Sequence, residues 1–315
     1  MNLSQQSNIA KPVVVNNLVN SHITKIGTHT LLGGNEVSIF DVSDYHALTQ
    51  LIGYAKFLNV NYGNVYYRGE NELHETLLPG ISRNKKVNSK HKATLNKVIR
   101  NALSDKKFYK YMKLKGLKVE NSKKYIVEAM LQHYGYSTNF IDVVDNHWIA
   151  LWFGLNKFEQ IKVGQERYSL YTRRTVNPIE LYGSDNTKQI YQYLLLIAVD
   201  DNVAPIERGI YKGDNIIKID LRSALPSLFL RPHAQHGLVV KRNRHGTDDV
   251  FDINQNIVAI IRLRIDRVTS WLGEGNLLDN ANLFPSPAYD FGYGVLLHRT
   301  DLFKNKYYKI ERYVY

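Results

Sequence analysis

The feature that most restricts this chain is the stretch from Glu128 to Phe153, where two apolar helical patterns flank a loop of polar side chains. Before the loop, Ile126 to Tyr134 reads as a short amphipathic helix stopped by Gly135, a residue that accepts the left-handed cap. After it, Trp148 to Phe158 is apolar at Ile149, Ala150, Phe153 and Leu155, which predicts a second buried helix. Between them stand Gln132, His133, Tyr134, Ser137, Thr138, Asn139 and Asp142. Two core helices presenting a polar loop form the kind of rigid scaffold that carries binding and catalytic residues. Each residue also has an ordinary use. Ser137 or Thr138 can end one turn, and Asp145 or Asn146 can cap the next helix. The clustering of so many in one loop points to a site.

The remaining chain sets this stretch in an α+β fold. A span of 315 residues allows one large domain or two modest ones, and no repeat, low-complexity tract or linker divides it. Residues 1–35 read as a polar, Asn-rich extension with one or two loosely attached strands, around Pro12–Val15 and a Gly33-Gly34 turn. Residues 36–315 read as a single domain. Ser43–Leu58 is a helix with Ser43 as N-cap, Asp44 in the first turn, and Leu48, Leu51, Ile52, Ala55 and Leu58 on one face. Asn64–Glu70 is a strand ending at Gly69, which puts Arg68 and Glu70 on one face at its end. Leu77–Arg83 is a turn. After residue 160 strands dominate: Glu166–Val176, Leu194–Val199, Asn215–Asp220, a polar turn then strand over Arg231–Val240, and Asn256–Ile265. Residues 269–298 read as loops, and the tail from Tyr307 as a last strand. Together they predict a mixed or antiparallel β core with an inserted basic helical segment.

That segment carries the charge. The net charge is +12, and Arg83 to Lys124 alone holds 15 Lys and Arg against Asp105 and Glu120, so the rest is close to neutral. Lys85, Lys86, Lys90, Lys92, Lys97, Arg100, Lys106, Lys107 and Lys110 suit a polyanion, nucleic acid above all. Phe108, Tyr109, Tyr111 and Tyr125 are interleaved rings able to stack on bases. A solvated helix face explains the same run. No apolar run reaches the roughly 20 residues that span a bilayer. The N-terminus lacks signal-peptide order, and the absence of cysteine suits the cytoplasm.

Several chemistries are excluded. Without cysteine there is no thiolate nucleophile, and the histidines at 133, 147, 233, 236 and 245 lack the spacing of a zinc site. No phosphate-cradling Gly-rich loop followed by Lys and Ser or Thr occurs, and no Gly-x-Ser-x-Gly elbow. What remains is Arg68-Gly69-Glu70, the Ser137-Thr138-Asn139 loop and Gln235-His236-Gly237. A strand-end Arg matches the paired oxygens of a diphosphate. An ion pair of Arg68 with Glu70 or Asp142 is the other reading.

These residues resemble a known family. Tyr67-Arg-Gly-Glu70 with Leu77-Leu-Pro-Gly-Ile-Ser-Arg83 looks like the start of the FRG domain, named for its Phe-Arg-Gly motif. Leu131-Gln-His-Tyr-Gly-Tyr-Ser-Thr-Asn-Phe-Ile-Asp142, then Ala150–Phe153, looks like its most distinctive signature. Ala234-Gln-His-Gly237 and Asn282-Leu-Phe-Pro285 resemble its later elements. The chain departs at Tyr67 for Phe, Glu70 for the common Gln, Asn139 for Arg, and Val143-Val144 for Trp-Thr.

The FRG layout is in turn similar to the ADP-ribosyltransferase plan, which implies a β core of that type and NAD as co-substrate. On this resemblance Arg68 holds the diphosphate or ribose, Tyr134 stacks on nicotinamide, and Thr138 or Ser137 bonds the nicotinamide ribose. His133 or Asp142 orients the loop. Gln235 stands where many transferases have Glu, so Glu70 is the expected substitute as base or ribose partner. The implied function is an NAD-dependent ADP-ribosyltransferase acting on RNA or DNA, of the kind found in bacterial toxins and antiphage effectors held by an antitoxin protein. A protein acceptor, or a non-catalytic nucleic-acid-binding module, are the alternatives.

Overall fold

Leu194–Val199 and Ile257–Ile261 are apolar without interruption, the pattern of strands covered on both faces, and both lie inside one large sheet. The computed structural model describes residues 11–18, 20–83, 88–119, 121–164, 166–175, 190–243, 252–307 and 309–314. Among them, eleven strands and eleven α-helices follow in the order β1 (Ile23–Thr30), β2 (Glu36–Val42), α1 (Tyr45–Asn59), β3 (Asn64–Glu70), α2 (Asn88–Ser104), α3 (Lys106–Tyr111), α4 (Ser122–His133), β4 (Ile141–Val144), α5 (His147–Leu155), β5 (Asn156–Val163) and β6 (Glu166–Arg173). The second half continues with β7 (Tyr191–Val199), β8 (Ile210–Lys212), β9 (Ile216–Asp220), α6 (Leu221–Ala224), α7 (Arg231–Ala234), β10 (Gly237–Arg242), β11 (Ile257–Arg264), α8 (Ile265–Trp271), α9 (Asn280–Leu283), α10 (Phe291–His298) and α11 (Thr300–Phe303).

Nine strands form a mixed sheet in the order β1-β2-β11-β7-β3-β4-β10-β9-β8. Only the β2–β11 pair is parallel; β5 and β6 make a separate hairpin. Alternation along β7 sends Leu194, Leu196 and Ala198 to one core and Leu195, Ile197 and Val199 to another on the opposite face. The first of these cores also takes the apolar faces of α1, α5 and α8. A third core, under α2, α3, α4, α6 and α10, covers the β8–β10 end. Burying one such Leu or Ile contributes about 1.5–3 kcal/mol.

The sheet is divided where β3 meets β4. These strands share a single pair, Tyr67 with Val144. Beyond it Arg68, Gly69 and Glu70 stay paired with β7, while β4 pairs with β10 from Gly237–Val144 to Val240–Ile141. Gly69 explains how β3 keeps its place. A Cβ there would stand 1.8 Å from the Ala150 carbonyl oxygen, so α5 lies against the strand backbone itself.

Several expectations need correction. Asp44, not Ser43, caps α1, accepting from the His46 and Ala47 amides, while the Ser43 hydroxyl donates to Asp44. The second core helix ends at Leu155, because the chain turns into β5 and Phe158 lies on that strand. The described residues before 36 are not loose: β1 pairs along β2, Val15 is fully buried, and its N–H donates to Val258. Residues 269–298 include α9 and α10, whose N-cap carboxylates Asp279 and Asp290 mark starts that apolar periodicity does not. Among its described residues the tail makes one β-bridge, Ser169–Tyr313, in place of a strand. Asn146 does cap α5, accepting from the Trp148 amide at 3.0 Å.

Candidate functional site

The gap between β3 and β4 opens into a cavity of about 400 Å³. Its walls come from the end of β3, the Pro79–Arg83 turn, the loop after α4, the β5–β6 hairpin, the Gln235–Leu238 turn, and Phe284, Glu311 and Tyr313. Arg68, Glu70, His133, Ser137, Asp142 and Gln235 are brought together in this lining. Tyr134 and Thr138 are not.

Arg68 spans the gap. Its Nε donates to Glu70 Oε1 at 2.5 Å and its Nη1 to the Asp142 carbonyl oxygen at 2.8 Å. Burial disfavours its charge, but the carboxylates of Glu70 and Asp142 outweigh burial and push its pKa up. Arg68 is thus ion-paired with Glu70, as the second reading expects, and it lines the cleft. Arg83, at the end of the 3₁₀ turn Gly80–Ser82, is a second guanidinium in the lining. Burial and then repulsion from Arg68 lower its pKa. Two guanidinium groups therefore stand in one cleft, Arg68 paired with Glu70 and Arg83 bonded through Nε to the Leu78 carbonyl.

The loop after α4 is ordered by a relay. The Thr138 hydroxyl donates to Gln132 Oε1 at 2.8 Å, and Gln132 Nε2 donates to Asp142 Oδ2 at 2.6 Å. His133 Nδ1 lies 3.7 Å from Asp142 Oδ1. Burial raises the Asp142 pKa, but His133, Gln132 and Arg68 together hold the carboxyl below its usual range. Among the described residues, His133 Nε2 and Asp142 Oδ1 are buried without a hydrogen-bond partner. Unsatisfied buried polar atoms are uncommon and call for a reason, such as a ligand.

Tyr134 is fully buried, donates to Asp290 at 2.7 Å, stacks on Tyr293 and lies under the Arg231 guanidinium. No face of its ring is open to nicotinamide. Thr138 is likewise fully buried and acts through Gln132. Gln235 lines the cleft, but its amide donates to the Leu283 carbonyl at 2.7 Å and ties the Gln235-His236-Gly237 turn to the Leu283–Pro285 turn. Asn139 binds Glu128, donating through both its backbone N–H and its side chain, so it fastens the loop to α4.

Sequence reasoning missed an aromatic wall. Tyr171 stacks on Phe284 at 5.1 Å and Phe284 on Tyr313 at 4.4 Å, with Phe158 against Tyr171 at the rim. It also missed Arg83 and Glu311 as cleft residues. No local pattern announces these, because they come from a turn, a hairpin and the tail, which only the fold assembles.

Apart from Arg83, the basic segment does not line this cleft. α2 buries Leu95, Val98, Ile99 and Ala102 and exposes Lys90, Lys97 and Arg100, with Lys106, Lys107 and Lys110 exposed on α3. Lys92 is half-buried, and Lys85 and Lys86 lie outside the described residues. Three of the four interleaved rings are used internally: Phe108 is core, while Tyr109 and Tyr125 carry Lys123 and Lys241 over their faces. Among the described residues no group of three His, Asp or Glu side chains is placed to hold a metal, and no helix is long and apolar enough to cross a membrane.

Residues 63–162 match the family model of the FRG domain, and the chain carries an FRG domain there. The match takes in β3, the relay and α5, whereas Gln235, Phe284, Glu311 and Tyr313 lie beyond it. No curated protein and no solved structure matches the chain.

Proposed function

We propose that the cleft binds NAD and that the protein is an ADP-ribosyltransferase whose acceptor is nucleic acid, RNA or DNA. The observation that carries this is the pairing of Arg68 and Arg83 with an aromatic wall in one cavity. Guanidinium groups suit a diphosphate, and flat rings suit nicotinamide or adenine. The cavity volume falls in the range of nucleotide-sized sites. The divergence of β3 and β4 beside Arg68 makes the room for this ligand between the two strands. In this reading Tyr171 and Phe158 take the stacking role expected of Tyr134, and Ser137 and Asp142 face the ribose. Glu70, tied to Arg68, positions that guanidinium. The exposed lysines of α2 and α3 draw the acceptor by charge. A toxin or antiphage effector, restrained by an antitoxin protein in the cytoplasm, fits such an enzyme.

The test is transfer of label from NAD to RNA, single-stranded DNA, duplex DNA or protein by wild type and Arg68→Lys. Transfer to one polymer, lost in Arg68→Lys, is expected. Binding of nucleic acid with no NAD turnover by folded wild type would instead establish the non-catalytic module, and label on protein alone would move the acceptor.

A further inference from the structure

Three carboxylates line the cleft, and two have their work assigned. Glu70 is paired with Arg68, and Asp142 is held by Gln132 and His133. Glu311 differs. Among the described residues no cation forms an ion pair with it, and its Oε2 accepts from the Tyr313 hydroxyl at 2.6 Å. Its main chain is pinned at both ends. The Glu311 N–H donates to Tyr134 at 3.2 Å, and its carbonyl accepts from the Tyr293 hydroxyl at 2.7 Å. Its side chain lies over Gly135, where a Cβ would come within 2.2 Å of Glu311 Cγ. Gly135, at φ +105°, therefore does two things: it ends the helix turn and leaves room for this side chain. The C-terminal tail thus delivers a carboxyl to the cleft through a fixed backbone, the preorganisation a proton-transfer group needs.

The environments of the cleft carboxyls push them apart. Burial raises Glu311, against the lowering effect of the Tyr313 hydroxyl, of Arg231 beneath the wall and of Lys309, whereas Asp142 is held low. Glu311 in turn helps burial to raise the pKa of Tyr171, which faces it from the hairpin side. Carboxyls separated in this way mark an acid–base assignment.

We infer that Glu311 is the proton acceptor of the cleft, with Tyr313 as its positioning residue. This rests on NAD being the bound substrate. The bond from ribose C1′ to nicotinamide breaks and its electron pair leaves with nicotinamide. A bond forms from C1′ to the acceptor oxygen or nitrogen, whose proton passes to Glu311 and then to solvent.

Glu311→Gln keeps the shape and the hydrogen bond but cannot take the proton. Nicotinamide release and label transfer should fall by about 100-fold or more, with NAD affinity and melting temperature nearly unchanged. Tyr313→Phe removes the hydroxyl that favours the carboxylate, so the acidic limb of the rate profile should move to higher pH. Wild-type rates in Glu311→Gln would overturn the role of Glu311 while leaving NAD turnover intact. An unmoved acidic limb in Tyr313→Phe would overturn the role of Tyr313. No nicotinamide release by folded wild type with any acceptor would overturn the NAD reading, and the proton step with it.

Discussion

The cleft and the basic helices use polar groups in opposite ways. In the cleft, polar groups hold one another: Arg68 to Glu70 and Asp142, Thr138 to Gln132 to Asp142, Tyr313 to Glu311. On α2 and α3, Lys90, Lys97, Lys106, Lys107 and Lys110 stand exposed above a buried apolar stripe. A fixed network recognises geometry, and a row of solvated cations recognises charge density. Single substitutions should therefore act sharply in the first region and additively in the second.

The comparison breaks most completely at Gly69. Gly69→Ala sets a Cβ against the Ala150 carbonyl, so the cost should reach or exceed the roughly 3 kcal/mol upper end of overpacking. Denaturant unfolding checks this, and a stable Gly69→Ala protein would show that α5 can move off β3. Next is Thr138→Val, which strands Gln132 Oε1 and frees its hold on Asp142. A loss of about 1–3 kcal/mol is expected, against a much smaller change in Thr138→Ser.

A smaller effect belongs to Asp105, which caps α3 and meets Arg299. The hydrogen bond from Arg299, then that from the Phe108 amide, lowers its pKa from 3.8 to about 2. The folded value lies below the unfolded one, so this stabilisation is present above about pH 4 and fades as pH falls toward 2. Asp105→Asn keeps a cap and should flatten that limb of the pH–stability curve. Smallest per residue are charge reversals among the α2 and α3 lysines. Each should change stability by no more than about 0.5 kcal/mol, yet lower the salt slope of nucleic-acid binding by about 0.7–0.9. A salt slope that does not respond would place the acceptor surface elsewhere.

The same contrast governs what could be read from the chain. The charge run is contiguous, so its extent was plain, but its rings were not: Phe108 is core, and Tyr109 lies under Lys123. Arg68 was legible because strand alternation and Gly69 fix it, and Gln132, His133, Ser137 and Asp142 because one helix end and one loop carry them. Tyr134 was misplaced since a polar loop does not reveal which side chains turn inward; Asp290, far along the chain, claims its hydroxyl. Arg83, Phe284, Glu311 and Tyr313 reach the cleft only through tertiary contacts between distant segments. β4 was hidden because its four residues sit inside the polar loop, too short for a period to show.

The most direct test is calorimetric titration of NAD into wild type, Arg68→Lys and Tyr171→Ala, without any acceptor. Binding at one site per chain in wild type, weakened by at least about tenfold in both folded variants, is the predicted result, equivalent to about 1.4 kcal/mol. No binding to folded wild type, or binding indifferent to both substitutions, would contradict the placement of NAD in this cleft.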